Sequence, residues 1–75
     1  MKTLCEALKV NTSITELDLF GNFIGSNSEN VKYLCEAFKT NKIMTELFLR
    51  DNSLDEKDEN VDELIHIRRN LRIFL

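Results

Sequence analysis

The chain repeats itself. Leu4-Cys5-Glu6-Ala7-Leu8-Lys9 returns 30 positions later as Leu34-Cys35-Glu36-Ala37-Phe38-Lys39, and Asn11 returns as Asn41. The same offset carries Ile14-Thr15-Glu16-Leu17-Asp18-Leu19 onto Met44-Thr45-Glu46-Leu47-Phe48-Leu49, and Asn22 and Ile24 onto Asn52 and Leu54. A fixed period of this size means that each unit is one supersecondary element, which buries its apolar face only by stacking on the next copy.

Within each period the apolar spacing at Ile14, Leu17 and Leu19, and again at Met44, Leu47 and Leu49, follows strand alternation and points Leu17 and Leu19 inward. Asn22 and Asn52 come three residues after each strand, where an amide can bond the turning backbone and repeat that bond one unit on. They predict the start of an asparagine ladder. A helix should follow each turn. Ser26 and Glu29 stand at capping-box spacing before a stripe of Val31, Leu34, Phe38 and either Tyr33 or Ala37. Asp55 is the expected cap of the next helix, with Val61, Leu64, Ile65 and the aliphatic stem of Arg68 as its stripe. Asn11 and Asn41 should end the preceding helices, because Asn tolerates a left-handed backbone. Gly21 and Gly25 should serve the turns after the strand.

One strand and one helix alternating at this period make parallel strands joined by right-handed crossovers. The expected fold is a right-handed α/β solenoid of about two and a half repeats, with strands on the concave face and helices on the convex face. Ile14-x-x-Leu17-x-Leu19-x-x-Asn22-x-Ile24 and Met44-x-x-Leu47-x-Leu49-x-x-Asn52-x-Leu54 resemble the leucine-rich-repeat consensus. The helical stretches Leu4 to Asn11 and Val31 to Asn41 look like the ribonuclease-inhibitor-like subfamily. The family period is a little shorter, so a small surface insertion is expected at Ser26-Asn27-Ser28.

Residues 1–25 read as a partial first helix plus strand, 26–54 as the second repeat, and 55–75 as a third, incomplete one. In the last of these the register breaks. The 30-residue offset maps Met44 onto Phe74, whereas Asn70-Leu71-Arg72-Ile73-Phe74-Leu75 reads as a strand that begins early. Neither end carries a polar capping segment, and such arrays need terminal caps. The expectation is a truncated member or one segment of a longer array, open to stacking or self-association through those ends.

Composition narrows the function. Hydrophobic residues at 43% and charged residues at 31% suit a folded chain, although a chain of 75 residues buries only about 60% of its unfolded surface. A net charge of -3 argues against nucleic acid, which requires clustered Lys and Arg. No apolar run approaches the roughly 20 residues that span a bilayer. Met1 to Val10 carries Glu6 and Lys9 where a signal peptide is apolar, so a cytoplasmic location is expected. Cys5 and Cys35 occupy equivalent repeat positions and read as small buried apolar residues rather than a bridge.

The resemblance implies that a protein partner lies against the concave sheet. Alternation assigns the outward residues: Glu16, Asp18 and Phe20 on the first strand, and Glu46, Phe48 and Arg50 on the second. They should align as columns of Glu16 with Glu46, Asp18 with Phe48, and Phe20 with Arg50, with Thr15 and Thr45 at the edge. Phe48 and Arg50 are the leading anchors, because aromatic and Arg side chains dominate binding hot spots. Phe20 and Phe48 can instead pack locally on neighbouring strand residues or cover the sheet where a missing repeat would stack.

Other signals point away from chemistry. A calcium loop begun at Asp51 places Glu56 where a glycine makes the sharp turn and Asp58 where an apolar residue belongs. The acidic residues from Asp51 to Glu63 suit a helix start instead, and Arg68, Arg69 and Arg72 suit its end, with a phosphate patch as the lesser reading. His66 is the only histidine, expected at a partly covered helix position between Ile65 and Ile67. No nucleophile motif or glycine-rich phosphate loop accompanies it. Asn11-Thr12-Ser13 matches a glycosylation acceptor, which requires the secretory pathway. No cofactor, metal or catalytic residue is expected.

Overall fold

The computed structural model describes all of residues 1–75. Its elements run α1 (Lys2–Val10), β1 (Glu16–Asp18), a single 3-10 turn (Ile24–Ser26), α2 (Ser28–Thr40), β2 (Glu46–Phe48), α3 (Glu59–Ile65) and β3 (Arg72–Phe74). The three strands form one parallel sheet in the order β1-β2-β3, open at both edges. α1 packs on α2, and α2 on α3. The molecule is a mixed α/β fold in which the helices and the sheet enclose a common core.

The core follows from the periodic leucines. Leu34, Phe38, Met44 and Leu47 are fully buried, and Ile24, Leu49 and Leu64 are within a percent of it. Burying side chains of this size contributes about 1.5–3 kcal/mol each. Cys5 and Cys35 sit in the same cluster as free thiols, as their repeat positions suggest. Burial is graded along the array: Leu4, Leu17 and Leu19 are only partly covered, whereas their equivalents Leu34, Leu47 and Leu49 are sealed between neighbours on both sides.

Two asparagine ladders tie the coils together. Asn52, 1% exposed, donates through Nδ2 to the carbonyls of Leu19, Leu49 and Arg50, and its Oδ1 accepts from the backbone N–H groups of Asn22 and Ile24. Asn22 stands one step earlier and reaches only its own turn, at the carbonyls of Leu19 and Phe20. Asn41 makes the second ladder. It donates to the carbonyls of Leu8 and Asn11 and accepts from the N–H groups of Ile43 and Met44.

That second ladder corrects an expectation. Asn11 and Asn41 end their helices with extended backbones (φ -73° at both), not in the left-handed region. Their side chains are what stop the helix: Asn11 Oδ1 accepts from Ser13 and Ile14 N–H just as Asn41 Oδ1 does from Ile43 and Met44. The left-handed positions lie instead after the strands, and they too repeat. Gly21 (φ 66°) matches Asp51 (φ 57°), and Phe23 (φ 55°) matches Ser53 (φ 56°). Gly25 is required for a different reason, since a Cβ there would stand 2.2 Å from the Ser53 carbonyl oxygen.

The helix starts also differ from expectation. Asn27, not Ser26, caps α2 by accepting from Glu29 N–H, because the 3-10 turn occupies Ser26, whose hydroxyl donates to the Phe23 carbonyl. Asp58, not Asp55, caps α3 by accepting from Asn60 and Val61 N–H, while Asp55 accepts from Lys57 N–H inside the preceding turn. α3 has 7 residues against 13 in α2, which brings the chain back to the sheet sooner. Arg72 therefore pairs opposite Glu46, 26 positions away rather than 30, and β3 starts early as its sequence suggests.

Candidate functional site

The sheet has one face in the core and one outside, so alternation along three short strands decides which side chains a partner could meet. Glu16 and Asp18 are exposed on either side of half-buried Leu17, and Glu46 and Phe48 are half-buried around fully buried Leu47. The register aligns Glu16 with Glu46 and Asp18 with Phe48, as the alternation predicts. Beyond the strands, the N–H of Leu19 donates to the Phe48 carbonyl and that of Gly21 to the Arg50 carbonyl, which continues the ladder past Phe20 and Arg50. Both of these residues are exposed, Phe20 at 59%.

The third strand adds Arg72 and Phe74 to this face. The sequence places both in an early third strand and Arg72 also among the arginines near a helix end, but assigns neither to the binding face. The signal was present in the alternation of Leu71, Ile73 and Leu75 with Arg72 and Phe74. Phe74 stacks on Phe48 with ring centroids 4.7 Å apart and planes 10° from parallel. The Arg72 guanidinium lies 5.9 Å from the Phe74 centroid and donates from Nη2 to Glu46 Oε2 at 2.7 Å. Phe48 thus packs on its strand neighbour, and the two rings form one shelf across β2 and β3.

Electrostatics divide the face. Glu46 has its cation in Arg72, whereas neither Glu16 nor Asp18 forms an ion pair. Asp18 Oδ1 accepts from Phe20 N–H, which leaves its other carboxylate oxygen free. A hydrogen bond to the Glu46 carboxyl, reinforced by the like charge, holds the Glu16 carboxyl above the usual glutamate range, with Arg72 pulling weakly the other way.

Nothing in the repeat pattern singles out Phe23. It occupies a left-handed backbone position that a bulky side chain rarely adopts, and the residue is 76% exposed in the turn following Phe20.

Of the remaining polar side chains singled out in the sequence, His66, Arg68 and Arg72 are each engaged with a separate partner. No three His, Cys, Asp or Glu side chains converge where a metal could be held. His66 is exposed, not partly covered, because it caps the end of α3. Its Nδ1 lies 2.9 Å from the Asp62 carbonyl and 3.5 Å from the Asp62 carboxylate. The three arginines expected near that helix end are used separately. Arg68 donates to the Met44 carbonyl, Arg72 binds Glu46, and Arg69 is exposed. Burial pulls the Arg68 pKa down, and its Nε is buried without a partner. No helix is long and apolar enough to cross a membrane. Comparisons with protein-family models, with curated proteins and with solved structures found no match to this chain.

Proposed function

We propose that the chain is a protein-interaction module that takes a partner on the exposed face of its sheet. The observation that carries this is the aromatic shelf of Phe48 on Phe74, set between charged side chains on a hydrogen-bonded parallel sheet. Rings held rigidly at a surface offer contact area at little entropic cost, which is why aromatic and Arg residues anchor interfaces. We further read the fold as a right-handed leucine-rich-repeat solenoid of the ribonuclease-inhibitor-like kind, non-catalytic and cytoplasmic. The 30-residue repeat, the parallel sheet and the paired asparagine ladders support that reading.

The test is to select binding peptides from a display library against the folded chain and measure the best of them against Arg50→Ala, Phe74→Ala and the double variant. Both side chains are exposed enough to remove without opening the core. Loss of at least about 2 kcal/mol of binding energy in the double variant is expected from two anchors. Unchanged affinity in a folded double variant sinks the assignment of the face.

A second reading is structural, with the chain as one segment of a longer array. It is favoured by the uneven cover of Leu4 and Leu19, which border an open hollow of about 260 Å³ with Met1, Asn22, Ile24 and Asn30. Sedimentation at rising concentration separates the two. Self-association abolished by Leu4→Glu and unaffected by Phe74→Ala supports stacking over partner binding.

A further inference from the structure

We propose that the sheet face is built for a protein segment that carries a Lys or Arg beside an exposed apolar side chain, with the cation over β1 and the apolar group on the Phe48–Phe74 shelf. This rests on the reading of the face as a binding surface and specifies the chemistry of what it binds.

The argument is one of complementarity, strand by strand. Glu16 and Asp18 are the outward residues of β1, both exposed and neither paired with a cation. Glu46, the third carboxylate of the face, is already bound by Arg72 at 2.7 Å. The carboxylates left over are therefore all on one edge strand. The aromatic shelf occupies the opposite two strands, in the row that starts at Asp18. Neighbouring strands lie about 4.8 Å apart, so the free carboxylates and the far end of the shelf are separated by roughly 10 Å. Side chains two residues apart on one extended peptide share a face and stand about 7 Å apart, which reaches from β1 onto the shelf.

Two further features favour a cation over β1. Glu46, through hydrogen bonding first and like charge second, makes the Glu16 carboxyl hold its proton more tightly, and a cation over β1 offsets the like-charge part. Asp18 is fixed by its bond from Phe20 N–H and offers its second oxygen without reorganising. Arg50 is the one competing cation without an ion-pair partner on the face. It lies at the far end of β2, beyond Phe48, and Asp51 follows it.

The experiment uses the full chain, labelled with nitrogen-15, and two short peptides: one with lysine and leucine two residues apart and serine between them, so that both face the sheet when the peptide is extended, and a counterpart with glutamate in place of lysine. Amide shifts are followed during titration in low and in physiological salt. The expected result is saturable shifts on β1, β2 and β3 for the lysine peptide. Its affinity should exceed that of the glutamate peptide by roughly tenfold at low salt and fall as salt is added. A Glu16→Gln, Asp18→Asn double variant, which keeps shape and removes charge, should erase the difference between the peptides, while Phe74→Ala should weaken both.

Equal or tighter binding of the glutamate peptide on the same strands overturns the proposed chemistry and leaves the face as a binding surface. Lysine-peptide binding that the double variant does not change overturns the chemistry too, as does the absence of any shift with either peptide. Shifts confined to the acidic turn from Asp51 to Glu63 remove both the chemistry and the choice of face.

Discussion

Asn52→Ala is the substitution that most directly probes what holds the coils together. Asn52 is 1% exposed and makes five hydrogen bonds, three as donor to the Leu19, Leu49 and Arg50 carbonyls and two as acceptor from Asn22 and Ile24 N–H. An amide has two hydrogens, so one is shared and the group counts as roughly four full bonds. At about 1 kcal/mol each, with partners left unpaired in a buried turn, the loss is about 4 kcal/mol. Total stability for a chain of this length is roughly 4–11 kcal/mol, so the variant should lie at the edge of unfolding. Asn22→Ala is the control. The same amide there is exposed and reaches only two carbonyls of its own turn, so about 1 kcal/mol or less is at stake. Urea unfolding followed by circular dichroism should separate the two variants by about 3 kcal/mol, and hydrogen exchange should show the Ile24 amide losing protection in Asn52→Ala. A gap below about 1 kcal/mol would refute the view that the buried amide, rather than leucine packing alone, joins one coil to the next.

Gly25→Ala should destabilise by at least about 2 kcal/mol, since its Cβ meets backbone oxygens of Asn52 and Ser53, whereas Gly21→Ala meets nothing and should cost only about 1 kcal/mol for its left-handed φ. Equal losses in urea would contradict the close approach. The raised Glu16 pKa sets a sign for pH dependence. The folded chain holds this proton more tightly than the unfolded chain does, so the contribution is fully present below the unfolded pKa and is lost as pH rises through the folded one. Stability measured from mildly acidic to neutral pH should fall more steeply in the parent than in Glu16→Gln, and parallel curves would dismiss the coupling. Burial pushes the Cys35 thiol up to about 12 and raises Cys5 as well, with Glu63 adding to the effect at Cys35. Alkylation in native buffer should therefore be slow at both and accelerate sharply in urea, while fast native labelling would show that the core is open.

The parts of the fold legible in the sequence are those that the repeat enforces. Ile14, Leu17 and Leu19 recur at the same spacing as Met44, Leu47 and Leu49, so strand position and facing could be read from the apolar residues, and the register of Leu17 with Leu47 is the one observed. The asparagine at the helix end was legible as a stop but not as a mechanism. Its position suggests a left-handed cap, yet Asn41 Oδ1 accepts locally from Met44 N–H while its Nδ2 donates to the distant Leu8 carbonyl, a long-range bond that no local pattern shows. Helix starts were misplaced by a few residues for a related reason. Ser26 and Asp55 have the right chemistry for caps, but a 3-10 turn and an Asx turn use them first, so the capping role passes to Asn27 and Asp58.

The candidate site was half legible, and the missing half lies where the repeat is broken. Shortening α3 to 7 residues moves β3 to a register that a fixed offset cannot supply, and with it go Arg72 and Phe74. Those two residues alter the meaning of the others. Without Phe74, Phe48 is a lone half-buried ring, and without Arg72, Glu46 is one more carboxylate in an acidic column. With them, the inward row of Leu17, Leu47 and Ile73 stays apolar across all three strands, while the outward rows change character at each step, from Glu16 to Glu46 to Arg72 and from Asp18 to Phe48 to Phe74. Packing against a shared core accounts for the sameness of the first row. It places no demand on the outward rows, whose side chains were free to repeat and do not. A binding surface requires that freedom, because a partner is told from its competitors by differences along the face and not by the scaffold that holds them.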